Sequence, residues 1–240
     1  MIPSKFQPAG LSWEQRVQLG GLRAVLDPAD KKGRKNWYID TLQKLALRKY
    51  LRLTGCEHVL DLGCGIGRFN GWISNRVAKV WGMDLSLDML QATKEDLRQQ
   101  ATFVVGSGLN IPFRDESFDL ALSIWVLQHI VDIEDFHTTV SEIHRVLRQG
   151  SRVFLIEQVR SPSSQHRTRK DYETAFESAG FAKKISVPIR SGRSIPTELA
   201  TYFPTTTAQT LARIELAYRR LTALTIRETY LDWVFVFKKK

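Results

Sequence analysis

The amino-acid sequence predicts a doubly wound α/β fold built on a mainly parallel sheet. Short β-rich runs alternate with helical patterns from residue 57 to about residue 189, and this alternation is typical of strands joined by crossover helices. Several runs are nearly continuous in apolar residues, as expected for parallel strands that helices cover on both faces. A hydrophobic fraction of 43% in 240 residues is enough for the core of one globular domain.

Six strands are predicted in this region, and a seventh is predicted near the end of the chain. They cover residues 58–62, 78–84, 101–106, 117–124, 151–159, 181–189 and 230–237. Helical patterns lie between them at residues 67–76, 86–99, 133–148 and 168–179. Gly150 and Gly180 are expected to end the last two helices, because glycine readily adopts the backbone conformation that follows a helix.

The regions on either side of this core are expected to be additions to it. Residues 1–56 contain a basic, proline-containing segment at 1–34, which is expected to be a loose arm, followed by a packing helix at residues 35–53. Residues 190–228 are predicted to form a helical cap insertion, after which residues 229–240 return as the final strand of the 57–189 core. No apolar run approaches the roughly 18 residues of a membrane span. The first ten residues lack the apolar core of a signal peptide, which predicts a cytoplasmic protein.

Charge is unevenly distributed along the chain. Residues 1–58 carry 11 basic and 5 acidic residues, residues 59–158 carry 9 and 13, and residues 159–240 carry 15 and 7. Basic flanks around an acidic middle would attract an anionic partner, or would be no more than a solvated surface. Two cysteines, Cys56 and Cys64, are too few for a disulfide framework. The five histidines show no metal-ligand spacing, so no metal is predicted.

A glycine-rich loop follows the first strand. Its order is Asp61-x-Gly63-x-Gly65-x-Gly67, which matches neither the G-x-G-x-x-G pattern of dinucleotide sites nor the G-x-x-x-x-G-K-S/T pattern of phosphate loops. The loop lies where open α/β sheets bind ligands, and a second acid, Asp84, ends the next strand. A carboxylate there can accept hydrogen bonds from two ribose hydroxyls, and Asp61 suits a positive charge beside the loop. The residues therefore predict a nucleoside ligand with a cationic tail.

Four sequence motifs follow one another between residues 57 and 160. They are VLDLGCGIGRF (59–69), VWGMDLSLDML (80–90), VVGSGLNIPFRDESFDLALSIWVLQHI (104–130) and EIHRVLRQGSRVFLIE (142–157). In this order and spacing they resemble the class I S-adenosylmethionine-dependent methyltransferases, especially the group called type 11. The resemblance implies S-adenosyl-L-methionine as cofactor. It also implies a seven-stranded sheet of the Rossmann-like methyltransferase fold, in which the last strand is antiparallel to its neighbours.

The resemblance also implies a set of cofactor-binding residues. They are Asp61, Gly63, Cys64, Gly65, Gly67, Arg68, Asp84, Leu85, Ser107, Gly108, Leu109 and Trp125. Asp84 would hold the ribose hydroxyls and Leu85 would pack on the adenine. Ser107 stands where many relatives have an aspartate that accepts from the adenine amino group, and a neutral hydroxyl should contribute less there. Trp125 would wall the cofactor pocket.

Methyl transfer from a sulfonium needs mainly alignment, because the methyl group is already activated. Alignment of the two reactants can supply about 7–11 kcal/mol. A hydroxyl or ammonium acceptor also needs a base. His129 is the candidate base because its ordinary pKa suits that task, although it could instead cap or pack the following helix. Glu157 is a second candidate, as a structural or substrate-binding acid.

Acceptor choice is expected to lie in the segments that flank the core, because these would cover the carboxyl ends of the strands. Tyr38, Tyr202 and Phe203 could form an aromatic lid, or a hydrophobic plug for the insertion's own core. Arg190 and Arg193 could meet an anionic group.

The sequence as a whole predicts a methyltransferase that acts by direct in-line transfer on a small-molecule acceptor, such as a quinone-type ring, a sugar nucleotide, a lipid-linked sugar or another biosynthetic metabolite. The acceptor would be anionic if the basic flanks contribute. One alternative is an RNA methyltransferase that uses those flanks, and another is a non-catalytic regulatory protein that binds the cofactor. The acceptor atom, the use of a base and the oligomeric state stay open.

Overall fold

The fold comes from a computed structural model, which describes residues 10–160, 167–191, 195–222 and 230–240. Within these described residues, a seven-stranded sheet forms the centre of the protein. Its strands are β1 (His58–Leu62), β2 (Lys79–Asp84), β3 (Thr102–Val105), β4 (Phe118–Ile124), β5 (Leu147–Arg160), β6 (Phe181–Ser191) and β7 (Tyr230–Lys239).

The order of the strands across the sheet is β3-β2-β1-β4-β5-β7-β6. Strands β1 to β5 pair in parallel, whereas β7 pairs antiparallel with both β5 and β6. This topology confirms the predicted α/β fold class, including the antiparallel final strand. It also places the carboxyl ends of β1, β2 and β4 side by side at one edge of the sheet.

Helices cover both faces of the sheet. They are α1 (Trp13–Val17), α2 (Gly21–Val25), α3 (Arg34–Tyr50), α4 (Asn70–Ile73), α5 (Leu87–Gln91), α6 (Glu95–Arg98), α7 (Ile133–Val146), α8 (Arg169–Ser178), α9 (Ile195–Tyr202) and α10 (Ala208–Thr222). Short 3-10 turns lie at Ser74–Arg76, Leu127–His129 and Thr205–Thr207. None of the helices in the described ranges combines the length and the apolar character that a membrane crossing requires.

Two apolar clusters fill the spaces between the sheet and its helices. The first contains Leu42 of α3, and the second contains Phe136 of α7 and Phe176 of α8. Phe154 joins the first cluster and Leu155 joins the second, because successive side chains of a strand point to opposite faces. The nearly continuous apolar runs of the strands are therefore explained by burial on both faces.

Two predicted helices are shorter in the structure. The helix predicted at 67–76 is reduced to α4 and the following 3-10 turn, and the helix predicted at 86–99 is broken into α5 and α6. At the break, the Arg98 guanidinium donates to the carbonyl groups of Leu90, Gln91 and Thr93. The prediction of a single helix was therefore wrong. These hydrogen bonds satisfy the carbonyl groups at the end of α5, and residue propensities do not report them.

The two glycines expected to end helices behave differently. Gly180 follows α8 with φ 96°, as predicted. Gly150 does not end α7, because that helix stops at Val146 and β5 begins at Leu147. Gly150 lies inside β5 with φ 76°, so its prediction as a helix stop was wrong.

The described part of the N-terminal arm is folded, although a loose arm was expected. Ser12 caps α1, and its hydroxyl accepts from the backbone N–H of Gln15. The Asn36 side chain of α3 donates to the Asp27 carbonyl and accepts from the Asp27 N–H, at 2.8 and 2.9 Å. Residues 1–9 lie outside the described residues. The packing helix predicted at 35–53 corresponds to α3.

Candidate functional site

A cleft opens at the carboxyl ends of β1, β2 and β4, and it holds about 1070 Å³ of empty space including its mouth. The structure brings together along it His129 and all but one of the predicted cofactor-binding residues. They are Asp61, Gly63, Cys64, Gly65, Arg68, Asp84, Leu85, Ser107, Gly108, Leu109, Trp125 and His129.

Gly67 is the residue that does not line the cleft. A Cβ atom there would lie 3.2 Å from the ring of Phe103 and 3.3 Å from the Thr93 methyl group, on the side of the loop away from the cleft lining. The Gly67 φ of 76° also favours glycine. At Gly63 a Cβ atom would overlap the side chain of Val126. The glycines at these two positions are thus required by packing within the protein as well as by the shape of the loop.

The Asp84 carboxylate joins the end of β2 to the glycine loop. Its Oδ2 atom accepts from the Gly65 N–H at 2.8 Å, and its Oδ1 atom accepts from the Ser86 N–H at 2.9 Å. Burial raises the pKa of Asp84 above its ordinary value, while these backbone donors lower it. Each carboxylate oxygen retains lone pairs that could accept from hydroxyl groups of a ligand in the cleft.

Asp61 is the second acid of the cleft, and its side chain is nearly inaccessible. Its Oδ2 atom has no hydrogen-bond partner. Burial raises the pKa of Asp61 to about 7, a net value in which nearby Arg68 lowers the pKa and nearby Asp84 raises it. A buried carboxylate oxygen without a partner is unfavourable. A cationic donor in the cleft would satisfy it.

Arg68 lines the cleft, but its guanidinium is bonded to α3. It donates to the Asp40 carboxylate at 3.0 Å and to the Gln43 side-chain oxygen at 2.5 Å. The ion pair with Asp40 is buried, with side-chain exposures of 8% and 6%. Arg68 therefore ties the glycine loop to the N-terminal packing helix, and its predicted contact with the cofactor stays a prediction.

The loop after β3 forms another wall of the cleft. The Ser107 hydroxyl accepts from the Leu109 N–H at 3.2 Å, and the Ser107 carbonyl accepts from the Asn110 N–H at 3.2 Å. Thr139 of α7 and Met89 of α5 complete this wall. Sequence reasoning missed both, because a threonine or a methionine on a predicted helix face reads as ordinary packing.

Glu157, at the end of β5, is a structural acid. Its fully buried carboxylate accepts from the backbone N–H groups of Val126, Leu127 and Gln128, at 3.2, 3.0 and 3.1 Å. The Ser123 hydroxyl donates to it as well, at 3.3 Å. Burial raises the pKa of Glu157 to about 7 against these donors. Of the two roles predicted for this acid, the structure provides the contacts of the structural one.

Two residues of the segment that Glu157 holds face the cleft. Trp125 has φ 59°, which is a strained conformation for an aromatic residue and marks a constrained site. The His129 ring lies 5.3 Å from the Trp13 ring in an edge-to-face contact.

The side chain of Gln128 contacts the His129 ring. The Gln128 oxygen accepts from the Gln158 N–H at 3.1 Å, which turns the amide nitrogen toward His129 Nε2 at 3.4 Å. In the tautomer that carries its proton on Nδ1, the His129 ring can accept from this amide through Nε2.

The N-terminal segment, and not the predicted aromatic residues, covers the cleft. Trp13 of α1 and Val25 of α2 line it. Sequence reasoning missed both, although the Ser12-Trp-Glu-Gln15 capping box is a local signal for α1.

The predicted aromatic lid is not formed. Tyr38 is buried in the core, and Tyr202 and Phe203 are 78% and 46% exposed away from the cleft lining. Arg190 is buried and paired with Asp232 at 2.7 Å, which leaves it without the predicted role toward an anionic group. Arg193 lies outside the described residues. Within those residues, no three His, Cys, Asp or Glu side chains are grouped so that they could hold a metal ion.

Comparisons with known proteins match the α/β region of the chain that contains the cleft. Residues 60–155 match the family model described as a methyltransferase domain. The demethylmenaquinone methyltransferase of Lactococcus lactis is 33% identical over 148 residues, which are 59% of this chain and 53% of that protein. The protein of the same name from Corynebacterium kroppenstedtii is 37% identical over 119 residues, 50% of this chain and 49% of that protein. The chain thus spans about half the length of these curated relatives.

Solved structures show the same fold. The S-adenosylmethionine-dependent methyltransferase of Mesorhizobium loti superposes with a TM-score of 0.58 over 82% of this chain and 98% of that chain. The sequence identity is 22%, so this similarity concerns the fold alone.

Proposed function

Residues 60–155 belong to the class I S-adenosylmethionine-dependent methyltransferases of type 11, and from this premise we propose that the protein methylates a small-molecule acceptor. One observation carries the proposal. Asp84, which is bonded to Gly65, and Asp61, which has an oxygen without a partner, face the same cleft at the carboxyl ends of β1 and β2. This pair of acids suits a ligand with ribose hydroxyls and a positive charge.

The cleft fits S-adenosyl-L-methionine on these grounds. Asp84 would accept from the ribose hydroxyls, because its two backbone hydrogen bonds leave lone pairs on both oxygens. The Asp61 oxygen would face the cationic end of the ligand. When bound, the cofactor supplies a methyl group activated by its sulfonium. A cation beside Asp61 would favour its ionised form and offset the burial that raises its pKa.

His129 is the group we assign to proton removal from the acceptor. It lines the same cleft as the two acids. The imidazole can take a proton from a hydroxyl or ammonium group near neutral pH once the acceptor displaces the Gln128 amide from its ring nitrogen. Its T-shaped contact with Trp13 limits the motion of the ring.

In-line transfer would depend on the rigid positions of these groups. The Glu157 carboxylate holds the 126–128 backbone by three hydrogen bonds, so the His129 ring is fixed relative to the sheet. Trp13 and Val25 add apolar surface to the wall of the cleft. Alignment of this kind can supply about 7–11 kcal/mol of the barrier reduction.

A neutral, apolar ring is the acceptor class that the cleft supports best. Among the described residues that line it, Arg68 is the one with a lysine or arginine charge, and that charge is bonded to Asp40. Trp13, Trp125 and Ile130 instead offer flat or apolar surfaces beside His129. The curated relatives reported above are named for demethylmenaquinone, a quinone-type ring. We therefore propose a ring acceptor of this kind in place of the anionic acceptor considered from the sequence.

The test is a binding measurement followed by a turnover measurement. Calorimetry with S-adenosylhomocysteine should show saturable binding to the wild type, and mass spectrometry should detect methylated product with a quinol-type ring. Binding without turnover over a broad panel of acceptors would favour a regulatory role. Turnover on RNA oligonucleotides, with an affinity that falls steeply with salt, would favour the nucleic-acid alternative.

A further inference from the structure

Helix α9 carries its large apolar side chains on the side that faces solvent. Ile195, Leu199 and Tyr202 are 76%, 37% and 78% exposed. These positions are spaced i, i+4 and i+7, so they form one stripe along the helix. The opposite side, which faces the protein, holds the smaller residues Pro196 and Thr197 together with a buried alanine. This is the reverse of the usual arrangement of a surface helix, which implies that the outward stripe has a partner.

Two neighbouring aromatic side chains extend this stripe. Phe203 follows α9 directly and is 46% exposed. Trp37 of α3 is 49% exposed and lies one turn after Arg34, whose guanidinium donates to the Tyr202 carbonyl at 2.7 Å. This hydrogen bond joins the start of α3 to the end of α9. We name the resulting surface the α9 patch, and its members are Trp37, Ile195, Leu199, Tyr202 and Phe203.

Basic residues border the α9 patch. The run KKGRK at 31–35 leads into α3, and its Lys31 and Lys32 are exposed. Lys35 of the run is paired with Asp27, and the exposed Glu198 is an opposing charge within the α9 stripe. Arg34 contacts the patch through Tyr202, and the exposed Lys31 and Lys32 precede it in the chain by three and two residues.

We propose that the α9 patch is a docking surface for an anionic lipid bilayer. Tryptophan and tyrosine favour the interface between water and lipid, and a short amphipathic helix can lie in that interface with its apolar side in the headgroup region. Adjacent lysine and arginine residues add attraction to anionic headgroups. The α9 stripe projects outward beside tryptophan and basic residues, and this combination of aromatic and positively charged groups suits insertion among anionic headgroups. A second copy packed on the same patch would bring the basic borders together and repel.

The location of the α9 patch determines where a docked bilayer would lie relative to the cleft. Strand β6 ends at Ser191, at the edge of the sheet where the cleft opens, and α9 begins at Ile195. A bilayer on α9 would therefore lie on the same side of the protein as the cleft. The docking itself does not depend on methyl transfer, because it concerns residues that do not line the cleft.

Vesicle co-sedimentation of the full chain without cofactor tests the proposal. We expect binding to vesicles of phosphatidylcholine with about 30% phosphatidylglycerol, weaker binding to pure phosphatidylcholine, and release by about 0.5 M salt. The variants Trp37→Ser/Tyr202→Ser/Phe203→Ser and Lys31→Glu/Lys32→Glu should each bind at least about tenfold more weakly.

Matched controls separate the patch from general charge and apolarity. Lys170→Glu/Lys184→Glu makes the same change of charge at exposed sites elsewhere, and Leu87→Ser/Val105→Ser removes exposed apolar groups elsewhere. Both should bind like the wild type, and thermal melts should confirm that all variants fold. Wild type that ignores anionic vesicles, or patch variants that bind as well as the controls, would overturn the proposal. Light scattering provides a further test. If the wild type is a dimer and Trp37→Ser/Tyr202→Ser/Phe203→Ser is a monomer, the patch binds a second copy and the lipid proposal is overturned.

Discussion

The Glu157 carboxylate accepts a hydrogen bond from the backbone N–H of Leu127 at 3.0 Å, and both residues are fully buried. This bond and its two neighbours fix the segment after β4 to the end of β5. The segment carries Trp125 and His129, so a buried acid that does not line the cleft sets the position of two residues that do.

Replacement of Glu157 should therefore destabilise the protein in a graded way. Glu157→Ala leaves the buried N–H group of Leu127 and the part-buried N–H groups of Val126 and Gln128 without their acceptor, and the buried one alone costs about 1–3 kcal/mol before relaxation. Glu157→Gln should cost less, because its carbonyl oxygen can still accept from Val126 and Leu127. Urea unfolding measures both, with Glu177→Ala on an exposed helix position as control. Equal stability of Glu157→Ala and the control would contradict this role.

Asp61 should make the stability of the ligand-free protein depend on pH. Its pKa is about 7 in the folded protein against an ordinary 3.8, because burial disfavours the charged form. The contribution of Asp61 to stability is then fully present below about pH 4 and is lost as the pH rises through 7. Asp61→Asn should remove this part of the pH dependence in thermal melts. Parallel pH profiles of the variant and the wild type would argue against the raised pKa.

Asp84→Ala should weaken binding of S-adenosylhomocysteine by about 1.5–3 kcal/mol, through loss of charged hydrogen bonds to the ribose. It should also loosen the glycine loop, because the Gly65 N–H loses its acceptor. Calorimetry measures the affinity. An exposed acid such as Asp88, which follows β2 on α5, provides the control Asp88→Ala. An unchanged affinity in Asp84→Ala would move the ribose to another place.

His129→Ala should lower turnover by about 10²–10⁴-fold if this residue is the base. Cofactor affinity should change little, because Asp61 and Asp84 would carry the binding. Activity and calorimetry on the same preparation separate the two effects. A similar loss in both would make His129 a pocket residue.

Arg190 and Asp232 should behave as a buried ion pair. Arg190→Met leaves the Asp232 carboxylate unpaired in the core, at a cost of about 3–5 kcal/mol. The double variant Arg190→Met/Asp232→Leu should recover much of that loss, because it removes the charge that was left behind. Urea unfolding of the three proteins measures the difference. A stable single variant would show that the pair is not needed for folding.

The sequence predicted the sheet well because its signals are local. Strands such as β1 and β5 are apolar runs buried on both faces, and the motifs around Asp61 and Asp84 stand at fixed positions after two of them. The break between α5 and α6 was not predictable from the same signals, because it depends on a long side chain that reaches back to carbonyl groups.

The residues that lie over the cleft could not be predicted from the sequence either. Tyr38 and Arg190 were expected above the cleft, but they are buried where α3 and the last two strands pack together. Their neighbours come from distant parts of the chain, and no local pattern reports such contacts. Trp13 reaches the cleft for the same reason, through packing of α1 over the carboxyl edge of the sheet.

A crystal structure with S-adenosylhomocysteine is the most direct test of the proposed function. We predict the nucleoside between the glycine loop and the loop after β3, with both ribose hydroxyls within about 2.5–2.9 Å of the Asp84 carboxylate. The amino group of the ligand should lie nearest Asp61. A nucleoside bound elsewhere, or a cleft that stays without the ligand at saturating concentration, would contradict the assignment of this cleft.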